Sequence, residues 1–210
     1  MDYKEKIMEE FIKQFLTKDC RDIKVDEIAE NLGISKRTIY ENFDSKNEIV
    51  RQTLQNYQQM SQIKILELCN AETNPLKKIL QISFVMLEYA REISIARLIG
   101  LRKHYPEIAE DLITIHVQFM RENILKLYTK AQEEGYIFME VEFEFLLALL
   151  LGGEKNPNQK IMHFMGKEFE VLRLLTAHFF TIIRGVSTMK GVKVCDAYYK
   201  EYLQEKIFTK

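Results

Sequence analysis

Glycine and proline are scarce, with 8 and 3 residues in a chain of 210, and this argues against a turn-rich β protein. Cys20, Cys69 and Cys195 are far apart and odd in number. Neither a disulfide framework nor a CxxC metal pair is therefore on offer, and a reducing compartment is expected. Charge of one sign is missing too. Thirty basic and 31 acidic side chains leave a formal charge of −1, so no global field draws the chain to nucleic acid or an anionic membrane. Any such binding has to come from a local patch. The longest unbroken apolar run, residues 145–151, is far shorter than the roughly 20 residues that span a bilayer. The start MDYKEKIMEE mixes both charge signs where a signal peptide needs a basic start and an apolar stretch. A cytoplasmic location with no membrane partner is the expectation.

Catalytic patterns are also lacking. His104, His116, His163 and His178 have no glutamate three residues before them, and no HExxH occurs, so the di-iron and zinc-protease spacings are absent. No Gly-rich phosphate loop, nucleophile elbow or paired catalytic carboxylate appears. The expectation is a protein that is not an enzyme and holds no metal and no cofactor.

What is present is helical periodicity, in a composition 47% hydrophobic and 29% charged that suits a folded domain. Tyr3, Ile7, Phe11 and Phe15 recur at helical spacing, which predicts an amphipathic helix over residues 2–17. Ser45 and Glu48 form a capping box that starts a long helix running toward Cys69. Pro75 and Pro106 open further helices. Others are predicted over residues 93–104, to 134 with Gly135 as the stop, 141–151, 162–184 and 194–208. Residues 152–160 read as a loop. No alternating strand pattern appears. The expected fold is all-α, with about nine helices.

Between these lies DEIAENLGISKRTIYENFDSKNEIV, residues 26–50, with the spacing of a helix-turn-helix. Ala29 is small enough for two helices to cross, Gly33 permits the turn, and Ile28, Ile34 and Ile39 pin the pair. Once Ile39 and Phe43 face inward, Ser35, Lys36, Arg37, Thr38 and Tyr40 remain on the second helix, and all can bond phosphate or base edges. Residues 1–50 contain nine basic and twelve acidic side chains, net −3. Residues 33–40, however, carry Lys36 and Arg37 and no acid, and a Debye length of about 8 Å screens the far side.

Ile28-Ala29, Leu32 to Lys36, Thr38 to Tyr40, Asn42-Phe43 and Ser45-Lys46 together resemble the N-terminal signature of TetR-family transcriptional regulators. The resemblance implies a three-helix DNA-binding head, residues 1–46, and a helical ligand-binding and dimerisation domain, residues 47–210. It implies DNA contacts from Lys24, Ser35, Lys36, Arg37, Thr38, Tyr40 and Lys46. Arg37 would reach a base edge, with a solvated surface arginine as the alternative, and Tyr40 and Lys46 would reach phosphate. Asp19-Cys20 stands where the family has Gly and an aromatic. Lys24 stands where a capping Thr is usual, so Asp22 or Asp26 is expected to cap.

The resulting expectation is a homodimeric repressor on a palindromic double-stranded operator, released by an apolar or amphipathic small molecule. Phe84, Tyr89, His116, Phe119, Met120 and Phe138 are candidates for the ligand pocket. Leu172, Leu175, Phe179, Phe180 and Ile183 are candidates for the dimer interface, because residues 162–184 show hardly any polar side. That helix is expected to meet its symmetry mate and the final helix in a four-helix contact. A TetR-like ligand or interaction module without DNA binding, and an all-α enzyme, are the other classes.

Overall fold

The computed structural model describes residues 2–68, 70–93, 95–151 and 168–206. The chain divides into two compact units, Met1–Lys64 with Tyr89–Gln118 and Ile65–Glu88 with Phe119–Lys210. This division does not follow the 46/47 boundary expected from the motif. Among the described residues there is no strand, only one antiparallel bridge between Ile137 and Ser187.

The first unit is built on α1 (Tyr3–Phe15), α2 (Val25–Leu32), α3 (Lys36–Asn42), most of α4 (Lys46–Leu68), α6 (Ile95–His104) and most of α7 (Pro106–Phe119). Ile7, Phe11 and Phe15, spaced at i, i+4 and i+8, are fully buried against Ile23, Ile28, Ile39, Phe43 and Ile49. At α2's end the chain reverses at Gly33, whose φ of 64° lies in the left-handed region that a side chain disfavours.

Glu10 is buried in this unit, where Asn31 Nδ2 donates to its Oε1 at 2.7 Å and Gln14 Nε2 at 3.0 Å. Burial raises the Glu10 carboxyl, but those two donors with Lys13 outweigh it and hold it below its ordinary value. This lowering favours the folded state at neutral pH, and the benefit fades as pH falls into the acid range. Two side chains of α4 reach α7. Arg51 pairs with Asp111, and Gln58 Nε2 donates to the Leu112 carbonyl at 3.0 Å.

The capping box opens α4 in altered form. Glu48 N–H donates to Ser45 Oγ at 3.2 Å, while Glu48's carboxylate takes the Asp44 N–H at 2.6 Å rather than Ser45's own. At α2 the expected aspartate cap is replaced. Lys24 occupies the N-cap position without capping, and Asp26 holds Lys36 instead. The turn after α1 closes without glycine, because the Asp19 carboxylate accepts the Arg21 N–H at 2.9 Å and fixes the bend at negative φ.

The second unit holds most of α5 (Pro75–Glu92), a π-turn at Met120–Ile124, α8 (Leu125–Glu133), α9 (Phe143–Leu151), α10 (Glu168–Gly185) and α11 (Met189–Lys206). Its centre is aromatic: Phe84 of α5 meets Phe179 of α10 and Tyr198 and Tyr202 of α11 with ring centroids 5.7, 5.5 and 4.4 Å apart. α11 begins at Met189, five residues before the expected start at 194. Thr188 Oγ1 accepts the Gly191 N–H at 3.2 Å and so starts the helix, and Gly191 interrupts only the sequence pattern. The expected loop at 152–160 and the start of the expected 162–184 helix lie outside the described residues.

Candidate nucleic-acid interface

Seven residues make α3, and its first turn is set by Ser35, whose Oγ accepts the Thr38 N–H at 3.0 Å. Ile39 is fully buried, so the helix can roll no further inward, and Ser35, Lys36, Arg37 and Tyr40 are left exposed. Thr38 is half-buried; its hydroxyl lies 2.9 Å from Ser35 Oγ and its carbonyl accepts Asn42 Nδ2 at 2.8 Å.

Both cations of this helix have carboxylate partners. Lys36 Nζ lies 2.9 Å from Asp26 on α2, and this hydrogen bond raises the ammonium above its ordinary pKa. Arg37 Nε donates to Glu41 Oε1 at 2.9 Å, one helical turn on. Such exposed pairs are worth about 0.2–1 kcal/mol, so a phosphate or base can displace or share them. Sequence reasoning missed Glu41, although the Arg–Glu spacing of four was its visible signal.

Lys24 is exposed just before α2. Lys46 is half-buried, and its Nζ donates to the Arg21 carbonyl at 3.0 Å, tying the start of α4 to the α1–α2 turn. Burial holds its ammonium below the ordinary lysine value, against the pull of Asp22 and Asp19 nearby. The arrangement is thus a short exposed helix of polar side chains seated on a buried apolar core.

Residues 7–53, which contain all of this, match the family model for bacterial regulatory proteins of the tetR family. Over these residues the chain is similar to the N-terminal domain of tetR-family regulators. No curated protein matches the chain by sequence. Solved TetR-type structures match it in fold. The fatty acid degradation regulator FadR of Bacillus halodurans is 16% identical, with a TM-score of 0.64 over 87% of this chain and 95% of that one. FadR of Bacillus subtilis, solved in complex with stearoyl-CoA, is 12% identical, with a TM-score of 0.64 over 88% of this chain and 100% of that one. PfmR, a TetR-family regulator of Thermus thermophilus, is 21% identical, with a TM-score of 0.54 over 87% and 99%.

Beyond the TetR-type head, the expected pocket residues fall in different units. His116 lies in the first, where burial holds its imidazole below the ordinary value and therefore neutral at neutral pH. Tyr89 belongs to the same unit, but its side chain lies outside the described residues. Phe84, Phe119 and Met120 are buried in the second, whereas Phe138 is 45% exposed. Phe119 and Met120 sit at the π-turn, where Asn123 Nδ2 donates to the Phe119 carbonyl at 3.0 Å, supplying a partner where the backbone register shifts.

The expected interface residues of α10 mostly face the chain's own core. Phe179 meets Phe84, Phe180 stacks on Tyr199 of α11 at 4.0 Å, Ile183 is fully buried and Leu175 is half-buried. Leu172's side chain lies outside the described residues. α11 packs on the side of α10 that carries Phe179 and Phe180, and Leu174, Ala177, His178 and Thr181 face out. Among the described residues no group of His, Cys, Asp or Glu could hold a metal ion, and no helix is long and apolar enough to cross a membrane.

Proposed function

We propose that the protein is a homodimeric transcriptional repressor that reads a palindromic operator through α3 and is released by an apolar or amphipathic ligand. The observation that carries the reading is the exposed α3 face inside the tetR-family match, with Ser35, Lys36, Arg37 and Tyr40 presented together. A helix so held enters the major groove, and two-fold related heads read half-sites about 34 Å apart. The head and body are taken as residues 1–46 and 47–210.

Titration with DNA from upstream of its own gene, over a range of salt, tests this. Specific binding that weakens steeply with salt is expected, since phosphate contacts release counterions. Arg37→Ala should cost roughly 1–3 kcal/mol and relax one base position, whereas Lys24→Ala should weaken all duplexes alike and lower the salt slope by about 1. Equal affinity for operator and scrambled duplex would leave only a ligand or interaction module.

For the ligand, the buried Phe119 and Met120 at the π-turn support an apolar wall, and FadR of Bacillus subtilis with stearoyl-CoA supports an acyl-chain class of effector. Coupling of about 1–3 kcal/mol between ligand and operator is the usual size. Met120→Trp should abolish the shift in operator affinity caused by a long-chain acyl thioester while sparing operator binding. A normal response in that variant would place the pocket elsewhere.

The dimer is assigned to α9 with α10. Their outer faces carry Phe145, Ala148 and Leu149 beside Leu174, Ala177 and Thr181, all exposed, and His178 Nε2 lies 3.3 Å from the Leu149 carbonyl. A contiguous exposed apolar face on a folded chain marks an interface.

A further inference from the structure

We propose that Glu41, and not only Arg37, reads DNA, so that the Arg37–Glu41 pair forms one two-base reader preferring guanine near cytosine. The proposal rests on the reading of α3 as the recognition helix. Glu41 Oε1 accepts Arg37 Nε at 2.9 Å, and both side chains stand in solvent, 56% and 88% exposed. The bond uses only Nε. Nη1 and Nη2 make no hydrogen bond among the described residues, so the fork that grips guanine O6 and N7 is left open and held in direction.

Glu41 Oε2 is likewise unengaged among the described residues. A carboxylate only accepts hydrogen bonds. In the major groove guanine shows it two acceptors, thymine an acceptor and a methyl group, and adenine a donor beside an acceptor. Cytosine N4 alone offers a donor without a neighbouring acceptor. The two side chains are four residues apart, a rise of about 6 Å along a helix. Against about 3.4 Å per base pair, the bases read lie one or two steps apart.

The pair also settles a charge problem. An isolated carboxylate on a DNA-facing helix would be repelled by phosphate, but beside Arg37 the two sum to zero. Glu41 thus withholds attraction from non-specific duplex and returns a contact only where cytosine is placed to meet it.

Selection of duplexes from a random pool by the full-length protein, followed by sequencing, tests the proposal with Glu41→Gln and Glu41→Ala. The unmodified chain should enrich each half-site in a guanine and, one or two pairs away, a cytosine favoured roughly tenfold or more, the scale of one good base contact. Glu41→Gln should shift the cytosine preference to adenine, because an amide pairs with adenine N6 and N7. Glu41→Ala should flatten that position to within about twofold and tighten non-specific binding, both variants keeping the parent's melting temperature. Variants that select the same half-site as the parent would overturn the inference and leave the repressor reading intact. A parent chain that selects no sequence would overturn both.

Discussion

A Leu174→Asp chain is expected to sediment as a folded monomer and to lose operator binding. Leu174 is 53% exposed on the outer face of α10, in line with Ala177, His178 and Thr181, and α9, which packs on α10, leaves Phe145 and Leu149 58% and 38% exposed. Small residues at 177 and 181 let two helices approach closely, and large apolar ones at their edges fill the flanks. In a two-fold contact the patch meets itself, so each substitution acts twice. Burying a leucine is worth about 1.5–3 kcal/mol, and a carboxylate facing its own copy in a desolvated contact adds repulsion. A monomer keeps one head, which forfeits the gain from engaging two half-sites together.

Phe179→Asp is the informative contrast. Phe179 is only 8% exposed and packs on Phe84, so this change should unfold the second unit rather than split a dimer. Sedimentation and far-ultraviolet circular dichroism on both variants separate the two effects. An intact Leu174→Asp dimer would move the two-fold contact off the α9–α10 face.

Gly191→Ala is expected to cost about 3 kcal/mol, the upper end for overpacking, and so to lower the melting temperature by about 6–12 °C. In most helices the same exchange stabilises, since alanine is the better helix former. Here the first turn of α11 crosses the segment after α8. Phe138 N–H donates to the Val186 carbonyl at 3.1 Å, Thr188 N–H to that of Tyr136 at 2.9 Å, and Thr188 Oγ1 to that of Gly135 at 2.7 Å. A Cβ at position 191 would collide with the Tyr136 carbonyl oxygen and come within 2.9 Å of Ser187 Cβ. The obstacle is backbone, held by these bonds and by Lys190 Nζ over the Tyr136 ring at 4.0 Å, and it cannot rotate away as a side chain would. Thermal unfolding measures the cost; an unchanged midpoint would mean that the clamp opens freely.

The amino-acid sequence by itself determined the local elements. Ile28, Ala29, Gly33 and Ile39 act within fifteen residues of one another, Ser45 and Glu48 within four, and Pro75 and Pro106 at single positions. Helix periodicity, caps and turns therefore carry the all-α class and the tetR-type head on their own. The Arg37–Glu41 pair was within reach by the same logic, as an i, i+4 match.

Tertiary structure decided which side of each element is used. A helix apolar all round, as α10 is, does not say which face turns inward; that depends on Phe84 and Tyr199, about 95 residues before and 20 after Phe179. From sequence Lys46 had only a phosphate to reach for, whereas in the fold its Nζ also donates to the carbonyl of Arg21, 25 residues away, at 3.0 Å. Gly191 fell before the expected last helix, whereas in the fold the Tyr136 backbone fills the space where its side chain would be. In each case the deciding partner is distant in sequence, and periodicity reports that a face is apolar or a cation present without reporting what folding brings against it.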